Sequence, residues 1–143
     1  MAVYLDTSTL VPLFFNEPAS VPALARIAGE RDIWLSRWTL AEFSSTTAFK
    51  IRNRQTTEAT AGKALALLRT KVSRGDFCLA ELERPDLDEA SRLCQAHRCG
   101  LRTPDALHAA IAMRLRLPLL TCDKGQAEGC GYHAIGHEYI VTP

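Results

Sequence analysis

No stretch of this 143-residue chain is long and apolar enough to cross a bilayer. The opening "MAVYLD" lacks the charged-then-apolar layout of a signal peptide. Both absences lead to the expectation of a soluble, cytoplasmic protein. Neither charge sign is in excess, since 17 basic side chains face 16 acidic ones for a net charge of +1. No global field therefore draws the chain to nucleic acid, and any such binding must come from a local patch. The cysteines (Cys78, Cys94, Cys99, Cys122 and Cys130) form an odd set without a CxxC pair. They read as mostly buried thiols in a reducing cytoplasm, not as a disulfide framework. His133 and His137 are four apart, but Gly131 and Gly136 argue against the helix that would make them a zinc pair. No nucleophile–histidine–acid set is apparent, so covalent catalysis has no support.

What is present is an ordinary core-forming composition, 47% hydrophobic, with no repeat, low-complexity tract or linker. One domain over residues 1–143 is expected. Short apolar runs predict strands at Ala2–Asp6, Asp32–Ser36, Asp76–Leu82, Leu117–Asp123 and Glu138–Val141. Between them, helical spacing runs through Leu10–Phe15, from Ser20 to near Gly29, Trp38–Arg54, Thr57–Arg74 and Pro85–Gly100. A further helix opens on Thr103, Pro104 and Asp105. The glycine-rich "KGQAEGCGYHAIGHEY" after Asp123 suits an irregular helix or a loop. Strands separated by helices imply an α/β fold with a parallel sheet covered on both faces.

In such sheets ligands bind beyond the carboxyl ends of the strands, where strand order reverses. Two predicted strands end in aspartate, at Asp6 and Asp123. The helix start carrying Asp105 should lie at the same end. Glu42 sits among bulky apolar neighbours early in the helix that follows the second strand, in a stripe with Trp38, Ser45 and Phe49. Each acid also has a local explanation as a helix cap or a dipole partner. Together they are harder to explain locally, because two like charges about 4 Å apart repel by roughly 4 kcal/mol at an effective dielectric of 20. A converging acidic set must take up protons or bind a cation. Oxygen-only ligands favour Mg²⁺ or Mn²⁺ over zinc. Such ions polarise a phosphoryl oxygen and activate water, as phosphodiester hydrolysis requires.

"VYLDTSTLVPLFFNEP", the Glu42 in "LAEF", "RTPDALHAAIA" and "LLTCD" resemble the signature segments of PIN-domain ribonucleases. More narrowly, their order and spacing resemble VapC-type toxins of toxin–antitoxin pairs. The resemblance implies a three-layer α/β/α sandwich and carries the family's acidic quartet onto Asp6, Glu42, Asp105 and Asp123. It implies Mg²⁺ or Mn²⁺ held by those acids, an RNA substrate, a homodimer, and a small VapB-type antitoxin whose C-terminal segment blocks the groove. Pro12 departs from the polar or basic residue often found there.

Other residues fit around this reading. Ser8 and Thr121, with Thr7, are hydroxyls able to orient carboxylates or water. Lys50, Arg52 and Arg54, at the end of the Glu42 helix, are candidates to hold RNA phosphates, or simply complement the helix dipole. His108 reads as a satisfied interior histidine. Two alternatives stand beside the nuclease: a catalytically silent PIN-like RNA-binding module, and a haloacid-dehalogenase-like phosphotransferase. The latter needs a second aspartate two residues after Asp6, where this chain has Ser8.

Overall fold

The computed structural model describes residues 1–143. Its strands are β1 (Ala2–Leu5), β2 (Asp32–Ser36), β3 (Cys78–Ala80), β4 (Leu119–Thr121) and β5 (His137–Tyr139). They form one all-parallel sheet in the order β3-β2-β1-β4-β5. The helices are α1 (Thr7–Leu10), α2 (Ser20–Ile27), α3 (Arg37–Arg52), α4 (Glu58–Ser73), α5 (Arg84–Cys94), α6 (Thr103–Leu115) and α7 (Lys124–Tyr132). None is long and apolar enough to cross a membrane.

Strand alternation divides the core between the two sheet faces. Val3 and Leu5 of β1 join Leu120, Leu35, Phe43 and Leu68 on one side. Tyr4 and Leu119 join Ala109, Ile111 and Leu93 of α5 and α6 on the other. The result is the three-layer α/β/α sandwich, of PIN-like form. Order reverses between β1 and β4, which pair directly, Tyr4 with Leu119 and Leu5 with Leu120. The two strands that lead into Asp6 and Asp123 thus flank the sheet's switch point.

Several boundaries differ from the sequence expectation, each for a local reason. The first helix starts at Thr7 because Asp6 caps it, and it tightens to a 3₁₀ turn over Val11–Leu13 where Pro12 removes a backbone donor. The helix expected over Pro85–Gly100 stops at Cys94, and irregular turns lead to Gly100 at φ +65°. Strands β3 and β4 keep only the central residues of their runs, and β5 ends at Tyr139. The glycine-rich segment is a regular helix as far as Tyr132. Its Gly129 allows close packing, for a Cβ there would stand 2.4 Å from Leu101 Cδ1. The missing side chain lets α7 press against the segment that leads into α6.

A clamp at the far end of α6 fixes that helix. Arg114 Nε and Nη2 donate to the two oxygens of Asp86 at 2.7 and 2.9 Å, and Nη1 donates to Glu83 at 3.0 Å. Asp86 is 1% exposed, so its carboxylate is buried against this partner. We expect Arg114→Ala to destabilise the protein by about 3 kcal/mol, the cost of leaving a buried carboxylate unpaired. Urea denaturation measures this, and an unchanged midpoint would show that the clamp contributes nothing.

Candidate active site

Asp6, Asp105 and Asp123 lie at element ends and Glu42 within α3, and each meets a different environment. Asp6 is 4% exposed and caps α1, where its Oδ1 accepts from Thr9 N at 2.9 Å and from Ser8 Oγ at 2.8 Å. Burial pushes its carboxyl above the ordinary range, against the pull of His108 and of these hydrogen bonds. Asp123 caps α7 in the same way, Oδ1 accepting from Gln126 N at 2.9 Å, but it is exposed. Gly125 gives that carboxylate room, since a Cβ there would lie 3.1 Å from its Oδ1.

Glu42 lies in the second turn of α3. Its Oε2 accepts from His108 Nε2 at 2.6 Å and from Thr7 Oγ1 at 2.5 Å. Burial pushes its carboxyl up, yet the His108 and Thr7 contacts prevail and hold it below the usual range. His108 is indeed a buried, satisfied histidine, but its satisfaction comes from the site itself. Its Nδ1 pairs with the Tyr4 hydroxyl at 2.8 Å, and that hydroxyl reaches Ser36 Oγ and Thr39 Oγ1 at 2.9 and 3.2 Å. The chain Ser36–Tyr4–His108–Glu42 ties the cap of α3 through β1 and α6 to one carboxylate.

Asp105 is the exception. Its side chain accepts no hydrogen bond from the protein. Burial first, then the charges of Asp123, Asp6 and Glu42, raise its carboxyl to about 6 despite His108. The other three acids thus bear on Asp105 by charge. The acids do not form a closed set of three or more ligands as they stand. The donor set still suits Mg²⁺ or Mn²⁺: all ligating atoms are oxygens, and Mg²⁺ is commonly held through one or two carboxylates while keeping several waters.

Two contacts were not legible in the sequence. Gln126, fully buried, donates through Nε2 to the Asp105 carbonyl at 3.0 Å while its backbone N–H holds Asp123. It staples the starts of α6 and α7 together. Lys50 is paired with Glu17 and lies 5.4 Å over the Phe15 ring, so its charge is engaged within the protein. Arg52 and Arg54 are exposed at the end of α3 and make no ion pair. Ser8 and Thr121 stand together at 3.2 Å, with Ser8 also accepting from Cys122 N at 2.9 Å, so both hydroxyls bridge β1's end to β4's.

The PIN domain sequence profile matches residues 3–131. The chain belongs to the PIN-domain family. No curated protein matches it in sequence. Among solved structures, this PIN domain is similar in fold to VapC20 of Mycobacterium tuberculosis, a toxin that cleaves the sarcin-ricin loop. The TM-score is 0.67 at 16% identity, over 99% of both chains. It is also similar to VapBC2 of Rickettsia felis bound to promoter DNA (TM-score 0.68, 17% identity, 97% of this chain and 98% of that one). FitAcB of Neisseria gonorrhoeae matches with a TM-score of 0.67 at 18% identity over 96% of each chain. Family membership sets aside the phosphotransferase alternative.

The raised Asp105 carboxyl makes a signed prediction for the metal-free protein. Its ordinary value is 3.8 and its folded value about 6, so the folded state holds the proton more tightly. Stability from this group is full below about 4 and is lost as pH rises through 6. Asp105→Asn should therefore match the wild type at pH 4 and exceed it at pH 7, by up to about 3 kcal/mol. Urea melts in EDTA at the two pH values decide it; a variant less stable at pH 7 would make Asp105 a structural residue.

Proposed function

We propose that this protein is a Mg²⁺- or Mn²⁺-dependent endoribonuclease of the VapC type, the toxin of a toxin–antitoxin pair. The observation that carries the reading is Asp105, set among Asp6, Asp123 and Glu42 at the switch point of a PIN domain and left without any donor of its own. Asp6, Asp105 and Asp123, with Glu42 beside them, are the residues that would hold the ion. Bound there, it would supply Lewis-acid stabilisation of a phosphoryl oxygen and a water of lowered pKa.

The chain's own residues do the rest. The α1 and α7 caps fix one oxygen each of Asp6 and Asp123 and so orient the other. His108 and Thr7 hold Glu42 ionised and immobile, able to accept a hydrogen bond from an attacking water. Ser8 and Thr121 present hydroxyls at the same edge. Arg52 and Arg54 offer charge to the RNA backbone at the outer end of α3. A homodimer and a small VapB-type antitoxin complete the proposed assembly, in keeping with the toxin–antitoxin complexes among its structural relatives.

Mg²⁺ or Mn²⁺ should raise the melting temperature of the wild type, by an amount equivalent to about 2.7 kcal/mol when free metal exceeds its dissociation constant a hundredfold. Asp6→Asn and Asp105→Asn should shift less and lose RNA cleavage while remaining folded. Equal metal shifts in the wild type and in a variant lacking all four acids would refute a carboxylate metal site.

The same carboxylates suit the planar, bidentate fork of a guanidinium. We expect the antitoxin tail to place an Arg or Lys against Asp6, Glu42, Asp105 or Asp123. Replacing that cation with Ala should restore RNase activity more than it weakens association, because apolar contacts supply most of the binding. Affinity and residual cleavage measured on one Ala variant test this; collapsed binding with unchanged inhibition would rule it out.

A further inference from the structure

A cleft of about 550 Å³ lies between α3 and the Val11–Ala19 segment, and of the four acids Glu42 alone lines it. Thr7 and Glu42 form its inner end, Thr46 and Phe49 its helical wall, and Gln55 its far end. Glu42, Thr46 and Phe49 are spaced i, i+4, i+7, so one stripe of α3 supplies a carboxylate, a hydroxyl and an aromatic ring. Phe49 is 52% exposed; besides it only Tyr132 is a mostly exposed aromatic side chain, and Tyr132 lies outside the cleft. An exposed apolar residue alone is ordinary, but Phe49 presents its ring to the cleft in line with Glu42 and Thr46.

The charges of the cleft narrow what can enter it. Its one cation, Lys50, is neutralised by Glu17, which also lines the wall, and Glu42 is ionised. A phosphate has no free positive partner inside. The unpaired cations, Arg52 and Arg54, stand outside at the end of α3, and the chain turns back at Arg54 (φ 56°) to set Gln55 in the cleft. A nucleic acid strand satisfies both conditions by turning its backbone to the arginines and a neutral base inward.

We propose that Phe49 is a stacking platform for an unpaired base of the RNA substrate. This deepens the nuclease reading above and rests on it for the substrate class. Seven residues along an α-helix advance about 10 Å, beyond a single stacked step of about 3.4 Å. The base on Phe49 therefore belongs to a nucleotide flanking the scissile phosphate, and Phe49 selects where a strand is cut without touching the reacting atoms. Gln55 is placed to hydrogen-bond that base at its edge. A base inside a duplex has no free face to offer, so the site favours single-stranded RNA.

Binding is measured by fluorescence anisotropy in an Asp105→Asn background with EDTA, using a fluorescein-labelled single-stranded RNA. This readout stands whether or not the strand is ever cut, so it separates failure of this proposal from failure of the nuclease reading. Phe49→Ala should weaken binding about five- to a hundredfold, and Phe49→Trp should restore it. Phe49→Leu, which keeps the apolar surface but removes the π-face, should not. An RNA with one abasic nucleotide at the stacked position should bind equally well to the protein that keeps Phe49 and to the Phe49→Ala variant. In the wild-type background with Mg²⁺, Phe49→Ala should raise KM with little change in kcat. Affinity unchanged in Phe49→Ala, or restored as well by Leu as by Trp, would overturn the platform; the second outcome would mark Phe49 as an apolar contact for a protein partner.

Discussion

Like charges brought to one end of a parallel sheet set the terms for everything else in this molecule. The pairing of β1 with β4 forces Asp6 and Asp123 into proximity, and the start of α6 adds Asp105. Repulsion of this kind must be met by donors, protons or a cation. The protein meets it unevenly. Asp6 and Asp123 each receive backbone N–H groups as helix caps, and Glu42 receives an imidazole and a hydroxyl. Asp105 receives nothing, and its carboxyl rises to about 6. The uncompensated acid is the one whose charge near neutral pH is most sensitive to an added cation.

The remoter contacts of the structure serve to keep these side chains where repulsion would otherwise move them. Arg114 anchors one end of α6 to α5, and Gln126 anchors the other end to α7. Tyr4 sits between them, its hydroxyl shared by the cap of α3 and by His108. Of these ties, the Gln126 bond to the Asp105 carbonyl and the His108 bond to Glu42 bear directly on the acids.

The sheet, its parallel strands and the placing of Asp6, Asp105 and Asp123 at element ends were legible in the sequence because each rests on a local signal. Apolar runs ending in Asp mark β1 and β4, and "RTPD" marks a helix start. Boundaries were less legible where a single residue decides them, as Asp6 and Pro12 do for the first helix. The partners of Glu42 could not be read at all. His108 is 66 positions away and Tyr4 is 104 from His108, and neither spacing has a periodic signature. The partner of Lys50 was hidden for the same reason, since Glu17 reaches it from a loop 33 positions earlier. Gln126 lay in a glycine-rich stretch whose helix packs Gly129 against Leu101, a contact no propensity encodes.

The electrostatics also couple the proposed ligands to one another. A polyanion approaching four carboxylates gains nothing from the cluster itself until positive charge is present there. Divalent metal and RNA should accordingly bind with positive coupling, each improving the affinity for the other by the same factor. An antitoxin cation placed in the cluster would supply charge while occupying the space of the metal, so it would compete with the ion and close the site in one step. Ligands that reach only the outer cleft, around Phe49 and Gln55, escape that requirement, because no phosphate has to approach Asp105. The inner end thus answers to charge and the outer end to shape, and the helix α3 carries both.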